Sequence, residues 1–311
     1  MGGSGGYGFY RNHGSRWMPS DLEESLEQTR QRTAMAEISE VFDETVSRIN
    51  QVDTEALNKH KEAILTTLQS LYPDAYDLRG GGSYTRHTYA NGISDVDVLL
   101  DLGPFSASDI PNKANAAAVL DEMEERLQQR LPKTKVKAGR MAVTVEFSDG
   151  HEIQVLPAFR YYSGFRVPDH GGSGWTATQP RVFIERLRER NGQVNGKLLR
   201  CIKLAKVIRE NEGIDLKSYH LENIALKAFE NYKGSTSDLA MLKHLFNQAK
   251  TLVNRPMPDP TGQQEHVDSY LTNSTARSSL ARKLAAVEQA IDNAEGKPAA
   301  WRQLLRPAAP G

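Results

Sequence analysis

The side chains that could do chemistry together are concentrated in one stretch, Gly80-Gly81-Gly82-Ser83-Tyr84-Thr85-Arg86-His87-Thr88-Tyr89-Ala90-Asn91-Gly92-Ile93-Ser94-Asp95-Val96-Asp97. From Ser94 to Asp101 polar and apolar residues alternate, the period of a half-buried strand. Successive strand residues point to opposite faces, so Asp95 and Asp97 share one face, about 7 Å apart, while Val96 and Val98 enter a core on the other. Two adjacent carboxylates repel, and a site that keeps both normally holds a hard divalent cation. Upstream, glycines followed by the Ser83 hydroxyl can bring backbone N–H groups close to phosphate oxygens. A phosphate cradle beside a paired-carboxylate metal site suits metal-assisted phosphoryl or nucleotidyl transfer. The plain structural alternative is a glycine-rich loop leading to an edge strand with an acidic face; the glycine-serine turn at this spacing favours the chemistry.

The elements that must position these residues follow from breakers and periodicity. Residues 1–19, rich in Gly and polar residues without periodicity, read as a flexible tail. Ser20 as N-cap, with acids in the next turn, opens an amphipathic helix to about Asn50, and a second runs from about Asp53 to Leu71. A helix is expected from Lys113 to Gln129. Met141 to Phe147 and Glu152 to Leu156 form a hairpin around Asp149-Gly150, ended by Pro157. From Pro180 to Glu295 the pattern is helical, broken near Gly213, Gly234 and the loop from Pro256 to Gly262. The expected organisation is an α+β core over 20–179 with a bridging N-terminal helix, a helical lobe over 180–305 and a tail over 306–311.

Composition limits the partners. The 39 Lys plus Arg balance 39 Asp plus Glu in 311 residues, so bulk charge gives no reason to coat nucleic acid or an anionic membrane. The single cysteine, Cys201, cannot form an internal disulfide or a cysteine zinc cluster, and its apolar helical context predicts core packing. No apolar run approaches the roughly 18 to 20 residues of a membrane span. A cytoplasmic protein is the expectation.

Gly82-Ser83, eleven intervening residues and Asp95-Val96-Asp97 resemble the signature of the DNA polymerase β-like nucleotidyltransferases. The fuller string GSYTRHT…SDVDVLL is most similar to the bacterial CD-NTases, relatives of cyclic GMP-AMP synthase and oligoadenylate synthetase. A second match is Lys203 in LLRCIKLAK followed by Lys217-Ser218-Tyr219-His220-Leu221-Glu222. The resemblance extends over about residues 35 to 305, with Trp175 to Pro180, Asp259 to Gly262 and Ala300 to Arg302 as further landmarks. It implies a nucleotidyltransferase core with a mixed sheet packed on an α-helical lobe. It implies an Mg²⁺-dependent enzyme, Mn²⁺ being an alternative, with Asp95 and Asp97 holding metal. Gly82, Ser83, Lys203 and Ser218 would bind the phosphates of ATP and other ribonucleoside triphosphates, and Tyr219 would stack on a base. The product would be a cyclic di- or trinucleotide second messenger acting on a separate effector in antiphage defence. Lys203 also lies near Arg200 and Lys206 at three-residue steps, a local cationic stripe.

Relatives place a third carboxylate where this chain has Gln154. Glu152, two residues earlier and on the same strand face, is the expected third catalytic and metal-binding acid, with Glu146 an outside candidate. The competing readings are a site completed by Asp95 and Asp97 with substrate phosphates, an inactive nucleotide-binding module, or a nucleotidyltransferase that makes linear products or acts on macromolecules. No zinc-binding insertion or broad basic surface argues for direct DNA sensing. The C-terminal tail ends on an unbranched Gly311, and the resemblance implies a ubiquitin-transfer-like partner that would conjugate it.

Overall fold

The computed structural model describes residues 19–73, 75, 77–104, 115–172 and 174–307. The expected conjugation at Gly311, the expected tail before Pro19 and the start of the helix expected from Lys113 lie outside the described residues.

The helix α1 spans Pro19–Asn50 and α2 spans Thr54–Gln69; the Asp53 carboxylate accepts from the Ala56 N–H and caps the latter. Strand β1 (Asp77–Gly80) leads into a single helical turn, α3 (Gly82–Thr85), and a loop delivers the chain to β2 (Val96–Pro104). Helix α4 (Ala116–Arg130), capped by Asn115, precedes β3 (Lys135–Ala138), β4 (Val143–Glu146), β5 (Glu152–Tyr161), β6 (Gly164–Pro168) and β7 (Trp175–Thr178). Helices α5 (Pro180–Gln193), α6 (Leu198–Asn211), α7 (Ser218–Ala228), α8 (Asp238–Leu252), α9 (Ser274–Asn293) and α10 (Pro298–Leu304) follow.

The strands form a mixed sheet in the order β1-β2-β5-β4-β3, with β6 joining β5 and β7 joining β6. The pair β2 and β5 is parallel, with Asp97 opposite Gln154, and the other pairs are antiparallel. Alternation works as the sequence requires: Val96, Val98, Leu100, Ile153 and Val155 enter a core with α2 and α4, and Asp95, Asp97, Glu152 and Gln154 alternate with them on the opposite face.

A second, larger core lies among the helices of the C-terminal half. Helix α1 belongs to it: Ile38, Val41, Phe42 and Ile49 recur at helical spacing and bury there, with Phe42 edge-on to Trp301 at 4.8 Å. Contact with the sheet half comes at its C-terminal end, where the Asn91 N–H donates to the Ile49 carbonyl at 2.8 Å.

Pro157 does not end the hairpin strand. It lies inside β5, opposite Leu100 of β2, at a level where β4 has stopped at Val143–Val155 and β6 has not begun at Phe159–Arg166. A proline is tolerated where a ladder is interrupted on one side. Strands β1, β3 and β7 have four residues each, too short to show a period in sequence. The helical half also breaks at Asn195-Gly196, both left-handed, separating α5 from α6.

Candidate active site

The glycine turn and the strand carboxylates are built as one unit. The Gly81 N–H donates to the Asp97 carbonyl at 2.8 Å, and the Ser83 N–H donates to the Asp97 carboxylate. Gly82 has φ +48°, and a Cβ there would lie 1.5 Å from Asp97 Oδ2. The position therefore needs glycine for both its backbone conformation and its space. Gly82→Ala must displace either the turn or the Asp97 carboxylate; we expect pyrophosphate release to fall by about two orders of magnitude or more, the scale of loss when a catalytic group is misplaced by about 1 Å. Wild-type turnover in that variant would mean the turn does not position the acid.

Ser83 itself is buried, and its carbonyl accepts from the N–H groups of Thr88 and Tyr89, each at 3.0 Å. These bonds fold the chain after α3 back over the turn. Asp97 is half-buried; desolvation raises its pKa, opposed by the Arg86 guanidinium and the Ser83 N–H. Asp95 is accessible yet partly desolvated, and its carboxyl is pushed up to about 6, first by that desolvation and then by the charges of Glu152 and Asp97, against a lowering by Arg209. Glu152 is thus close enough to act on Asp95 electrostatically, and it pairs with Glu146 across the hairpin. Glu146 is bound to Lys135 at 2.8 Å, on the far side of the sheet order from β2. Gln154 donates through Nε2 to Asp95 Oδ2 at 2.8 Å. An amide at this position orients one carboxylate of the pair without adding a further negative charge.

The helical half adjoins these residues, with Glu222 of α7 bonded to Arg86 and Arg209 of α6 acting on Asp95. Lys203 Nζ donates to Asn50 Oδ1 at 2.6 Å, and burial beside Lys206 lowers its pKa. Ser218 opens α7, its hydroxyl accepting from Arg209 at 2.8 Å. Arg209 acts electrostatically on Asp95, so Ser218 and the acid pair share a neighbour. Tyr219 has its ring edge-on to Phe183 at 4.9 Å and the Arg86 guanidinium 5.4 Å from its centroid; its hydroxyl donates to Asp259 at 2.7 Å. The same Asp259 oxygen accepts from the Thr261 N–H and hydroxyl, which ties the loop of residues 259–262 to Tyr219.

The cations of α6 do not make one stripe. Three residues advance an α-helix by about 300°, so each three-residue step turns back by about 60° and the groups fan around the axis. Arg200 pairs with Asp43 and Asp238, Lys203 reaches α1, Lys206 is wholly buried, and Arg209 faces Ser218.

The sequence assigns no site role to Arg86 or Glu222 and shows Lys206 only as part of a cationic stripe. In the structure, Glu222 lies buried between three partners: Arg86 Nε donates to it at 2.6 Å, Lys206 Nζ at 2.8 Å and the Thr88 hydroxyl at 2.6 Å. Lys206 also donates to the Thr88 carbonyl at 2.9 Å. This network fastens the segment after the glycine turn to α6 and α7. The signal in the sequence was the basic Arg86-His87 pair in a loop combined with an acid inside an apolar helix, since a buried Glu requires a cationic partner.

The donor set fits divalent metal. Glu152 and Asp97 both make Asp95 harder to ionise, and a cation beside these carboxylates would relieve that repulsion.

Comparison with known proteins gives the family and the fold. Residues 28–191 match the family model described as Second Messenger Oligonucleotide or Dinucleotide Synthetase domain. A probable cyclic nucleotide synthase of Bacillus cereus (strain VD146) is 23% identical over 237 residues, 65% of this chain and 72% of that protein. The CBASS oligonucleotide cyclase CdnC of Escherichia coli (strain KTE188) is 25% identical over 207 residues, 61% of this chain and 64% of that protein. Among solved structures, Bradyrhizobium diazoefficiens CdnG with GTP superposes with a TM-score of 0.67 at 13% identity, covering 86% of this chain and 95% of the other. E. coli MS115-1 CdnC with ATP gives 0.65 at 15% identity, covering 86% and 96%. These likenesses establish the polymerase β-like nucleotidyltransferase fold with its helical lobe. No helix among the described residues is long and apolar enough to cross a membrane. The chain belongs to the second messenger oligonucleotide or dinucleotide synthetase family and is a nucleotidyltransferase of the cyclic oligonucleotide synthase type.

Proposed function

We propose that this chain joins ribonucleoside triphosphates into a cyclic di- or trinucleotide signal of antiphage defence, with Asp95, Asp97 and Glu152 holding Mg²⁺ or Mn²⁺. The observation that carries the reading is the Gly81-Gly82-Ser83 turn bonded directly to Asp97 beside a second acid whose charge is raised in energy by its neighbours. Asp95, Asp97 and Glu152 would hold the divalent ions, which would supply a lowered pKa for the attacking ribose hydroxyl and charge neutralisation for the triphosphate and its pyrophosphate leaving group. The chain's own groups do the positioning. Gln154 holds one oxygen of Asp95, the Ser83 N–H holds Asp97, and the Ser83 hydroxyl, Lys203 and Ser218 bind phosphate oxygens. Lys203 exchanges its bond to Asn50 for a phosphate, and Tyr219, braced by Phe183 and Asp259, supports a base. A second transfer at the other end of the linear product closes the ring.

The reading is tested by supplying all four labelled ribonucleoside triphosphates with Mg²⁺ or Mn²⁺ and resolving the products after phosphatase treatment. A phosphatase-resistant product is expected; linear, phosphatase-sensitive oligomers or labelled macromolecules would overturn cyclisation, and nucleotide binding without pyrophosphate release would mark an inactive module.

Two further outcomes follow. Lys203→Ala removes a charge-assisted phosphate contact worth about 1.5 to 3 kcal/mol, so the apparent substrate constant should rise by about tenfold to a hundredfold; an unchanged constant would take Lys203 out of the site. The raised Asp95 carboxyl, at about 6, sets a pH limit. Its folded-state pKa lies above the ordinary aspartate value, so the metal-free protein binds this proton more tightly than the unfolded chain does and loses stability from this group as pH rises through 4 to 6. Metal must displace the same proton, so the apparent Mn²⁺ affinity should fall on acidification below pH 6, up to about tenfold per unit. An affinity flat from pH 7.5 to 5 would contradict it.

A further inference from the structure

We propose that His60, Asp149 and His151 form a transition-metal site, distinct from the cleft acids, that takes Zn²⁺ through two imidazoles and a carboxylate with a fourth position open to water. One donor atom from each side chain lies within 4.8 Å of the others. His60 Nε2 is 2.7 Å from Asp149 Oδ2, and His151 Nδ1 is 3.1 Å from Asp149 Oδ1. Tetrahedral Zn²⁺ with bonds of about 2.0 to 2.2 Å separates its ligands by a little over 3 Å, so side-chain adjustments of about an ångström or two, within the 4.8 Å span of the three donors, bring them to that geometry. Two imidazoles with one carboxylate suit zinc and discriminate against Mg²⁺, which prefers an all-oxygen shell.

The ligands are set in place by their surroundings. His60, on α2, stacks on Phe147 with ring centroids 3.7 Å apart and planes 20° from parallel. The turn that carries the other two is closed by the Gly150 N–H donating to the Phe147 carbonyl at 3.0 Å and by the His151 N–H donating to Asp149 Oδ1 at 3.2 Å. His151 Nδ1 is shielded from solvent and faces the carboxylate, yet makes no hydrogen bond of acceptable geometry. The 3.1 Å contact with Asp149 satisfies that nitrogen poorly, and a metal ion on its lone pair would satisfy it fully. Bound zinc would join α2 to the start of β5, immediately before Glu152 and Gln154, across 89 residues of sequence.

The test uses the full chain carrying Asp95→Asn and Asp97→Asn, which removes the cleft acid pair, titrated with ZnCl₂ and separately with MgCl₂. Calorimetry should show one Zn²⁺ per chain, and the melting temperature should rise with Zn²⁺ but not with Mg²⁺. His60→Gln and His151→Gln should each weaken Zn²⁺ binding by about a hundredfold, at least the loss seen when a supporting outer residue of a metal site is removed. Should His60→Gln disturb folding through the lost stack, Asp149→Asn on the exposed turn supplies the same measurement. Absence of saturable Zn²⁺ binding, or binding unchanged in His151→Gln and Asp149→Asn, would overturn the proposal.

Discussion

Asp97→Asn, and separately Asp95→Asn, should each lower pyrophosphate release by more than about a thousandfold, the range of loss for groups acting directly at a reacting centre, while the protein stays folded. Neither carboxylate is needed as a charge to hold the fold. Asparagine at 97 keeps an oxygen that can accept from the Ser83 N–H, and asparagine at 95 keeps one for Gln154 Nε2. What is lost is anionic charge, which an amide cannot supply to a divalent ion. Because Asp97 and Glu152 both make Asp95 harder to ionise, removing one member of the group should raise the melting temperature of the metal-free protein. The combination of lost turnover and unchanged or higher stability distinguishes a catalytic acid from a structural one. Full activity in either variant would remove the pair from the mechanism.

Glu222→Gln should be the most destabilising single change in the cleft, by about 3 kcal/mol or more, since removing one partner of a buried pair leaves the other charge uncompensated. Glu222 and Lys206 are both fully buried, and Arg86 depends on the same carboxylate. Burial works to raise the Glu222 carboxyl, but Arg86 and Lys206 outweigh it and hold the group down at about 2. Its folded-state pKa therefore lies below the unfolded one, so its contribution is complete above the ordinary glutamate range and is lost as pH falls from about 4 toward 2. Denaturant melts between pH 7 and 3 should show a smaller acid loss in Glu222→Gln than in the wild type. The double variant Lys206→Met with Glu222→Leu should recover much of the stability by removing both charges, as buried pairs replaced by apolar groups often do. Activity should stay low in the double variant, because Arg86 and Thr88 lose the anchor that holds the chain against the Ser83 turn. Equal stability of Glu222→Gln and wild type at pH 7 would show the network to be incidental.

The zinc proposal concerns the turn immediately before β5 and its contact with α2, and stands apart from both results. It would make the hairpin that carries Glu152 and Gln154 sensitive to a metal the cleft acids do not select.

The sequence by itself determined the local elements that carry the chemistry. A period of two placed Asp95, just before β2, and Asp97 on one face and Glu152 and Gln154 on one face of β5, and Asp149-Gly150 marked the turn between β4 and β5. These features depend on neighbours within a few residues, which the sequence displays directly. The tertiary structure alone decided the partners. Parallel pairing of β2 with β5 brought Gln154 to Asp95 across 59 residues, and packing of α7 against the loop after α3 brought Glu222 to Arg86 across 136. It also divided the cations of α6 among different tasks and drew α1 into the helical core rather than against the sheet. The reason is physical: a charged side chain's role is set by whether the medium around it is water or protein and by which opposite charge shares its cavity, and both are properties of the packed interior.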